Sequence, residues 1–295
     1  MHNLRNQHKI ALLCRVLRVN RSTYYKHFYS ATTPRTNENN ILKQLILRIY
    51  SEHKNILGGK KIQHLLLNEY GIKVSLKRVY RLKNTMALPT IATKKPKFKY
   101  FSQDESCCHN HLDQKFNQKN PNIVWVGDIT YLNAGSKWYY LAVVIDLFSR
   151  KVVGYKLSKV QNTELVKAAF QNAYFERCPT GLMFHSDRGT QYTALQFRQL
   201  LDNCNVVQSF SRKGHPFDNA VAECFFKYLK LEWIGRRTYL TLQELELAVF
   251  EYINYYNSKR PHSSLNYNTP NGFENAHILR TSPKDMGNQQ QIIKN

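Results

Sequence analysis

From residue 10 to residue 88 apolar positions recur at helical spacing, and beyond residue 122 short apolar runs of strand length take over. "KIALLCRVLRVNRSTYYKHF" predicts a short helix, a turn near Val19-Asn20 and a second helix capped by Ser22. In "NNILKQLILRIYSEHK", Leu42, Leu45, Ile46 and Ile49 share one helical face. Gly58-Gly59 interrupts the pattern, and "KKIQHLLLNEYG" predicts another helix stopped at Gly71. Ser75 can cap "LKRVYRLKNTMAL", where Val79, Leu82 and Met86 face inward and Lys77, Arg78, Arg81 and Lys83 are expected outside. Three helices with a basic last one, over residues 38–90, fit a helix-turn-helix DNA-binding region behind a short helical segment at 1–30. Residues 91–120 are polar, charged and aperiodic, which predicts a basic linker.

The period then changes. "NIVWVGDITYL", "KWYYLAVVIDLF" and "KVVGYKL" are β-branched and aromatic runs separated by "NAGS" and "SR", the spacing of an antiparallel meander. "NTELVKAAFQNAYFERC" predicts a helix ended by Pro179-Thr180-Gly181, "LMFHSD" a buried strand, "TALQFRQLLDNC" a helix and "NVVQSFS" a strand. Helices follow in "HPFDNAVAECFFKYLKLEWI" and "LTLQELELAVFEYINYYN". Strands followed by alternating helix and strand predict an α/β mixed sheet covered by helices over residues 121–275, with a polar, frayed tail at 276–295.

Charge adds a partner to this picture. The chain carries 43 Lys+Arg against 20 Asp+Glu, a net +23, and the excess is lopsided: 23 against 6 up to residue 120, and 20 against 14 thereafter. A polycationic amino-terminal half attracts phosphodiester backbones whatever their sequence. No apolar run spans a bilayer and no signal peptide opens the chain, so the expected setting is the cytoplasm, with no membrane partner. Six scattered cysteines suit a reducing compartment, and the adjacent cysteines of "CCHNH" lack the loop spacing of a structural zinc site.

Three acids stand in unusual settings. Glu223 lies in an aromatic and aliphatic helix, on a stripe with Lys227 and Lys230; alone it reads as an exposed i,i+4 ion pair. Asp128 sits within an apolar strand, and Asp187 follows a strand end and precedes a glycine-containing turn. Each alone has a turn or cap role as its ordinary explanation. Asp146 is another strand-end acid, and the residues by themselves do not exclude it as a ligand. If such carboxylates converged, a divalent cation would relieve their repulsion, and hard oxygen donors select Mg²⁺ or Mn²⁺. Two such ions about 4 Å apart serve in-line displacement at phosphorus.

"WVGDITYL", "VVIDLFSRKVVGY", "HSDRGTQY", "SRKGHPFDNAVAECFFKYLK" and "YYNSKRPHSSLNYNTP" together resemble the integrase core of insertion-sequence transposases. The similarity is to the second-frame (OrfB) product of the third insertion-sequence family, within the retroviral-integrase superfamily. It implies an RNase H-like core preceded by a helix-turn-helix region, with the catalytic, metal-holding acids on Asp128, Asp187 and Glu223. Thirty-five residues separate Asp187 from Glu223, the family's spacing, and its basic residue seven positions later falls on Lys230. Asp146 aligns with none of the catalytic acids. The implied activity is metal-dependent cleavage at the element's ends and strand transfer by 3′-OH attack, using two Mg²⁺ or Mn²⁺ ions.

The implied partners are the terminal inverted repeats, target DNA, further copies of the chain and the first-frame (OrfA) product. The chain opens on "MHNLRNQHKIALLCRV" without sustained heptads, so it reads as the second-frame product alone. Expected DNA contacts are Lys230, Lys227 and Arg188, with His185 beside the same acid, and Lys77, Arg78 and Arg81 in the helical region; for Arg188 and His185 packing at the strand end is an equal alternative. Arg260, in the proline-containing turn with His262, is a candidate DNA contact, with a structural role as the favoured reading. The rival functions are a nuclease of the same fold that never rejoins strands and a non-catalytic DNA-binding regulator.

Overall fold

A computed structural model describes residues 2–29, 33–89, 109–212 and 216–281. Cys107 and Cys108 of "CCHNH", most of the predicted linker and the last fourteen residues of the predicted tail lie outside them. The chain divides into two units, Met1–Thr90 and Ile91–Asn295.

Among its described residues the first unit has helices and no strand. It contains α1 (Ile10–Val16), α2 (Arg21–Tyr29), α3 (Pro34–Glu52), α4 (Gly59–Tyr70) and α5 (Leu76–Thr85). The cap of α2 is Asn20 rather than Ser22: Asn20 Oδ1 accepts from the Ser22 amide at 2.9 Å and from its hydroxyl at 2.8 Å. Gly71 closes α4 at φ +66°, and Ser75 Oγ accepts from Arg78 N at 3.3 Å to start α5, both as predicted. Leu42, Ile46 and Ile49 of α3, Ile62 and Leu66 of α4, and Val79 and Leu82 of α5 form the core.

Two basic residues of α5 depart from expectation. Lys83 is 1% exposed; its ammonium donates to the Leu57 carbonyl at 3.0 Å and lies 5.1 Å from the Tyr50 ring centroid. Burial lowers its pKa. Arg78 spends its guanidinium on α3, donating to Asn39 Oδ1 at 2.8 and 3.0 Å and to Glu38 at 2.8 Å. Both side chains hold helices together instead of standing free toward DNA. Lys77 and Arg81 are exposed, as predicted.

The second unit is built on a five-stranded sheet of order β3-β2-β1-β4-β5. β1 (Val124–Ala134), β2 (Lys137–Asp146) and β3 (Val152–Ser158) form an antiparallel meander, while β4 (Met183–Ser186) and β5 (Val207–Phe210) add parallel. The β1–β2 ladder runs from Trp125↔Asp146 to Ala134↔Lys137. Gly135 (φ +54°) and Ser136 (φ +62°) close it as a two-residue turn of the kind whose twist suits a hairpin. The alternation of a strand with both faces covered explains the burial. Trp125, Ala142 and Val144 pack with Phe170 of α6 (Thr163–Arg177), Phe184 of β4 and Phe197 of α8 (Leu195–Asn203), and α7 (Thr190–Thr193) adds Tyr192. Their alternates Val126, Leu141, Val143 and Ile145 are equally buried. α9 (Ala220–Glu232) lies against β1, and α10 (Leu242–Ser258) against β3.

Two boundaries move. Residues 109–120 are packed, not a free linker: the Phe210 amide donates to the His109 carbonyl at 2.9 Å, Ser209 Oγ accepts from the His111 and Leu112 amides, and Leu112 is buried. At the other end α11 (Pro270–Thr281) carries helix past residue 275, and its Glu274 takes Arg177 in a bidentate pair at 2.7 and 2.9 Å. Polar composition misleads at both places because partners remote in sequence, invisible to local pattern, satisfy backbone groups at 109–112 and pair the Glu274 side chain in α11.

Candidate active site

The strand register brings two of the acids together. β1 and β4 run parallel with Gly127 paired to Ser186, so the next residues, Asp128 midway along β1 and Asp187 just past the carboxyl end of β4, stand side by side where β4 stops and β1 runs on. Close strand packing depends on Gly127, since a Cβ there would run into the Phe184 ring. Asp128 Oδ1 accepts from the Ile129 amide at 2.8 Å, and Asp187 Oδ1 from the Gly189 amide at 3.0 Å. Glu223 lies in the first turn of α9, with Ala222, Phe225, Phe226 and Leu229 buried beneath it and its own side chain exposed.

These three acids share one field. Burial, then the charge of Asp187, then that of Glu223 push the Asp128 carboxyl up to about 8, against the Ile129 hydrogen bond and Lys230. Burial and Asp187 raise Glu223, and burial raises Asp187 against its Gly189 bond. The neighbouring charge that Glu223 registers is therefore an acid's. Among the described residues no three His, Cys, Asp or Glu side chains are already drawn in to ligand spacing around one point. Like charges in a partly desolvated hollow hold apart, and a divalent cation is what offsets that repulsion. An all-oxygen donor set with raised pKa values fits a hard divalent ion.

Lys230, on the same helix, is half-buried between the two parts of this site. Its pKa is lowered by burial and raised by Asp128, and its ammonium lies 4.3 Å from the centroid of the Tyr131 ring. Lys227 is half-exposed one turn earlier. Arg188 Nε donates to the Ser211 carbonyl at 3.0 Å, tying the Asp187 loop to the end of β5. His185 is fully buried between Ser209 Oγ at 2.9 Å and Ser211 Oγ at 3.1 Å; burial lowers its pKa to about 4, so it is a neutral packing residue.

Arg260 takes the favoured structural role and leaves the set of DNA candidates. It is 3% exposed and makes a two-pronged pair with Glu232, both contacts 2.7 Å, with its guanidinium 4.2 Å from the Tyr228 ring centroid. Nothing of it is offered to a duplex.

Asp146 is also settled by its partners. Fully buried, it accepts from Asn122 N at 2.6 Å, Phe148 N at 2.8 Å, Trp125 Nε1 at 3.2 Å and Ser149 N at 3.3 Å. Its oxygens staple the far end of the β1–β2 pair. Replacing Asp146 with Ala strands these donors and is expected to cost on the order of 3 kcal/mol. The denaturation midpoint should fall while folded protein still joins strands; joining lost at unchanged stability would contradict the staple role.

Two site residues escaped sequence reasoning. Asp218, buried just before α9, accepts from Asn110 Nδ2 and Gln114 Nε2, each at 2.8 Å, and from Arg212 N at 2.9 Å. Burial raises its pKa, but these bonds and the Arg212 charge outweigh it, and the carboxyl is held below its ordinary value. It thereby anchors the start of the helix that carries Glu223. Tyr192 is buried in the field of Asp128 and Asp187, its hydroxyl raised by burial and then by both acids. "GTQY" and "FDNA" adjoin two of the acids, but only the fold gives their side chains a role.

Comparison with known proteins agrees with this architecture. Two integrase core domain signatures match residues 118–216 and 205–270, and an HTH-like domain signature matches residues 37–96. The transposase for insertion sequence element IS904 of Lactococcus lactis subsp. lactis is 38% identical over 241 residues, covering 80% of this chain and 94% of that protein. The IS629 transposase of Shigella sonnei is 30% identical over 291 residues, 97% of this chain and 98% of its own. Transposase InsF for IS3A of Escherichia coli K12 is 33% identical, with coverage of 91% and 95%. Among solved structures, the HTLV-2 integrase catalytic core domain in complex with magnesium aligns at 18% identity and a TM-score of 0.42, over 53% of this chain and 98% of that one. Integrase-core enzymes work with a divalent metal. By its near full-length match to these relatives, the chain belongs to the IS3 family of insertion-sequence transposases, DDE-class polynucleotidyl transferases that move DNA.

Proposed function

We propose that Asp128, Asp187 and Glu223 are the catalytic, metal-holding acids of this transposase, acting on double-stranded DNA at its element's terminal inverted repeats and at target DNA. The observation that carries the reading is the mutual field: burial and two neighbouring carboxylates raise Asp128 to about 8 beside the end of β4. Two Mg²⁺ or Mn²⁺ ions held by these oxygens would supply Lewis-acid activation of the attacking oxygen and charge relief for the leaving one.

The chain's own groups prepare that chemistry. The Ile129 and Gly189 amides fix one oxygen each of Asp128 and Asp187, leaving the others to face the substrate. Lys230 and Lys227, on the face of α9 that carries Glu223, contact phosphates near the scissile bond, and Arg188 holds the Asp187 loop against β5. Water is the nucleophile that nicks the element's end. The freed 3′-OH then attacks a target phosphodiester: a new P–O bond forms, the target's P–O3′ bond breaks, and no covalent protein intermediate arises. Lys77 and Arg81 supply nonspecific phosphate contacts from α5. The chain assembles with further copies on DNA, and with the first-frame product.

The test is a melting series in chelator and in Mg²⁺. Unfolded, Asp128 ionises near 3.8; folded and metal-free it keeps its proton to about 8. Between those values the folded state binds the extra proton, so metal-free stability falls as pH rises through that window. Mg²⁺ added near pH 8 should restore several degrees, and Asp128→Asn should flatten both responses. A Mg²⁺ response identical in wild type and Asp128→Asn would remove Asp128 from the metal site. In parallel, a pre-cleaved 3′-OH end should be joined to target in Mg²⁺; hydrolysis without joining would leave a nuclease.

A further inference from the structure

Trp138 and Tyr131 are out of place for a solvated hairpin. Both are more than half exposed, at 56% and 58%, and their rings meet at 84° with centroids 5.2 Å apart. They stand on paired strands, Tyr131 opposite Tyr140 and Trp138 opposite Asn133, so their placement is set by the ladder. The hairpin tip is pinned as well: the Gly135 amide donates to the Tyr239 carbonyl at 2.8 Å, and a Cβ at Gly135 would strike the Leu240 carbonyl. Lys230 links the pair to the acids, its ammonium over the Tyr131 ring and its charge felt by Asp128. Exposed Lys137 lies beside Trp138.

The geometry points to a stacking subsite on Trp138, buttressed by Tyr131, that receives an unpaired nucleobase of the DNA strand whose phosphate lies at the acids. Asp128 and Tyr131 are three residues apart on one strand, about 10 Å along it and on alternate faces. β4 pairs with β1 only as far as Gly127, so both border the strand's open edge, where Lys230 reaches from the acid to the Tyr131 ring and a strand could pass with a phosphate at the first and a nearby base at the second. An aromatic face beside a cation matches the alternation of base and phosphate in a single strand. A base inside a duplex is already stacked and cannot reach such a face, so the subsite selects ends that have come apart. Its use is to hold the strand end open, with the terminal phosphodiester turned toward the carboxylates.

The inference rests on reading Asp128, Asp187 and Glu223 as the reacting centre, and its test separates the two. The full chain is titrated, without divalent metal, against a blunt duplex and against the same duplex ending in an unpaired oligothymidine 3′ tail. Wild type should prefer the tailed duplex. Trp138→Ala should lose about 5- to 150-fold in affinity for the tail with blunt-duplex affinity and melting temperature unchanged, and Trp138→Phe should retain most of the preference. Asp187→Asn, inactive if the acid assignment holds, should keep the full preference. Equal weakening on both probes, or none, overturns the stacking subsite whatever the acids do. So does a Trp138→Ala variant that dissociates an oligomer and keeps its preference for the tail. An Asp187→Asn variant that still cleaves overturns the acid assignment and leaves the stacking result standing.

Discussion

Changing Asp128 or Asp187 to Asn, or Glu223 to Gln, is expected to lower nicking and strand joining by at least about a thousandfold. DNA affinity should stay within about twofold. Each amide keeps the shape of the acid and removes the charge that holds a cation, so the loss falls on the reacting geometry rather than on the fold. Asp128, midway along β1, and Asp187, just past the end of β4, are neighbours across adjacent strands, and Glu223 enters their field from α9. No one of them can substitute for another, and three single changes should give similar losses. The assay is Mg²⁺-dependent joining of a pre-cleaved end, with binding read in parallel by filter retention. Wild-type joining after any one change would sink the assignment of that residue.

The largest stability effect is expected at Arg260. It and Glu232 are both buried, and both guanidinium contacts are 2.7 Å, with Tyr252 adding a hydroxyl donor to Glu232 at 3.3 Å. Arg260→Ala leaves a carboxylate without its partner in the interior and should cost about 3–5 kcal/mol. For a unit of this size that is a fall of about 6–20 °C in melting temperature. Arg260→Lys should recover only part, because an ammonium cannot reproduce the two-pronged geometry or the contact with Tyr228. Pairing Glu232→Gln with Arg260→Met should restore most of the loss, since no unpaired charge remains. A stable Arg260→Ala protein with a shallower salt dependence of DNA binding would return Arg260 to the interface.

Both predictions follow from charged residues whose surroundings the local pattern describes unequally well. For the acids, the family resemblance carried by motif order and spacing singled out Asp128, Asp187 and Glu223, a choice with which the strand register and mutual field agree. Asp146, an equally apolar-flanked acid, was separated from them only by resemblance until its four hydrogen bonds gave a physical reason. For the bases the sequence misled at Lys83 and Arg78, while at Arg260 it left a DNA contact open beside the structural role it favoured. Arg260 sits in a polar turn, and Lys83 and Arg78 on the basic stripe of an amphipathic helix, yet each is consumed by a partner at least 26 residues away. Stripe arguments count residue types on a face; they do not say which cations a neighbouring helix will claim.

Period and turn chemistry, which act over a few residues, made the strands of the meander, the helices α3 to α6, the Gly71 stop, the Ser75 cap and the change of architecture near residue 122 legible in the chain alone. The lopsided charge, likewise, is a sum over composition and needs no fold. Only the tertiary structure decided that residues 109–112 are tied to β5 through Ser209 and Phe210, that Asp218 anchors α9, that burial keeps His185 neutral, and that Lys230 stands between Asp128 and an exposed aromatic pair. These depend on burial and on contacts between segments remote in sequence, where desolvation sets the energy of a charge and the choice of partner belongs to the whole chain.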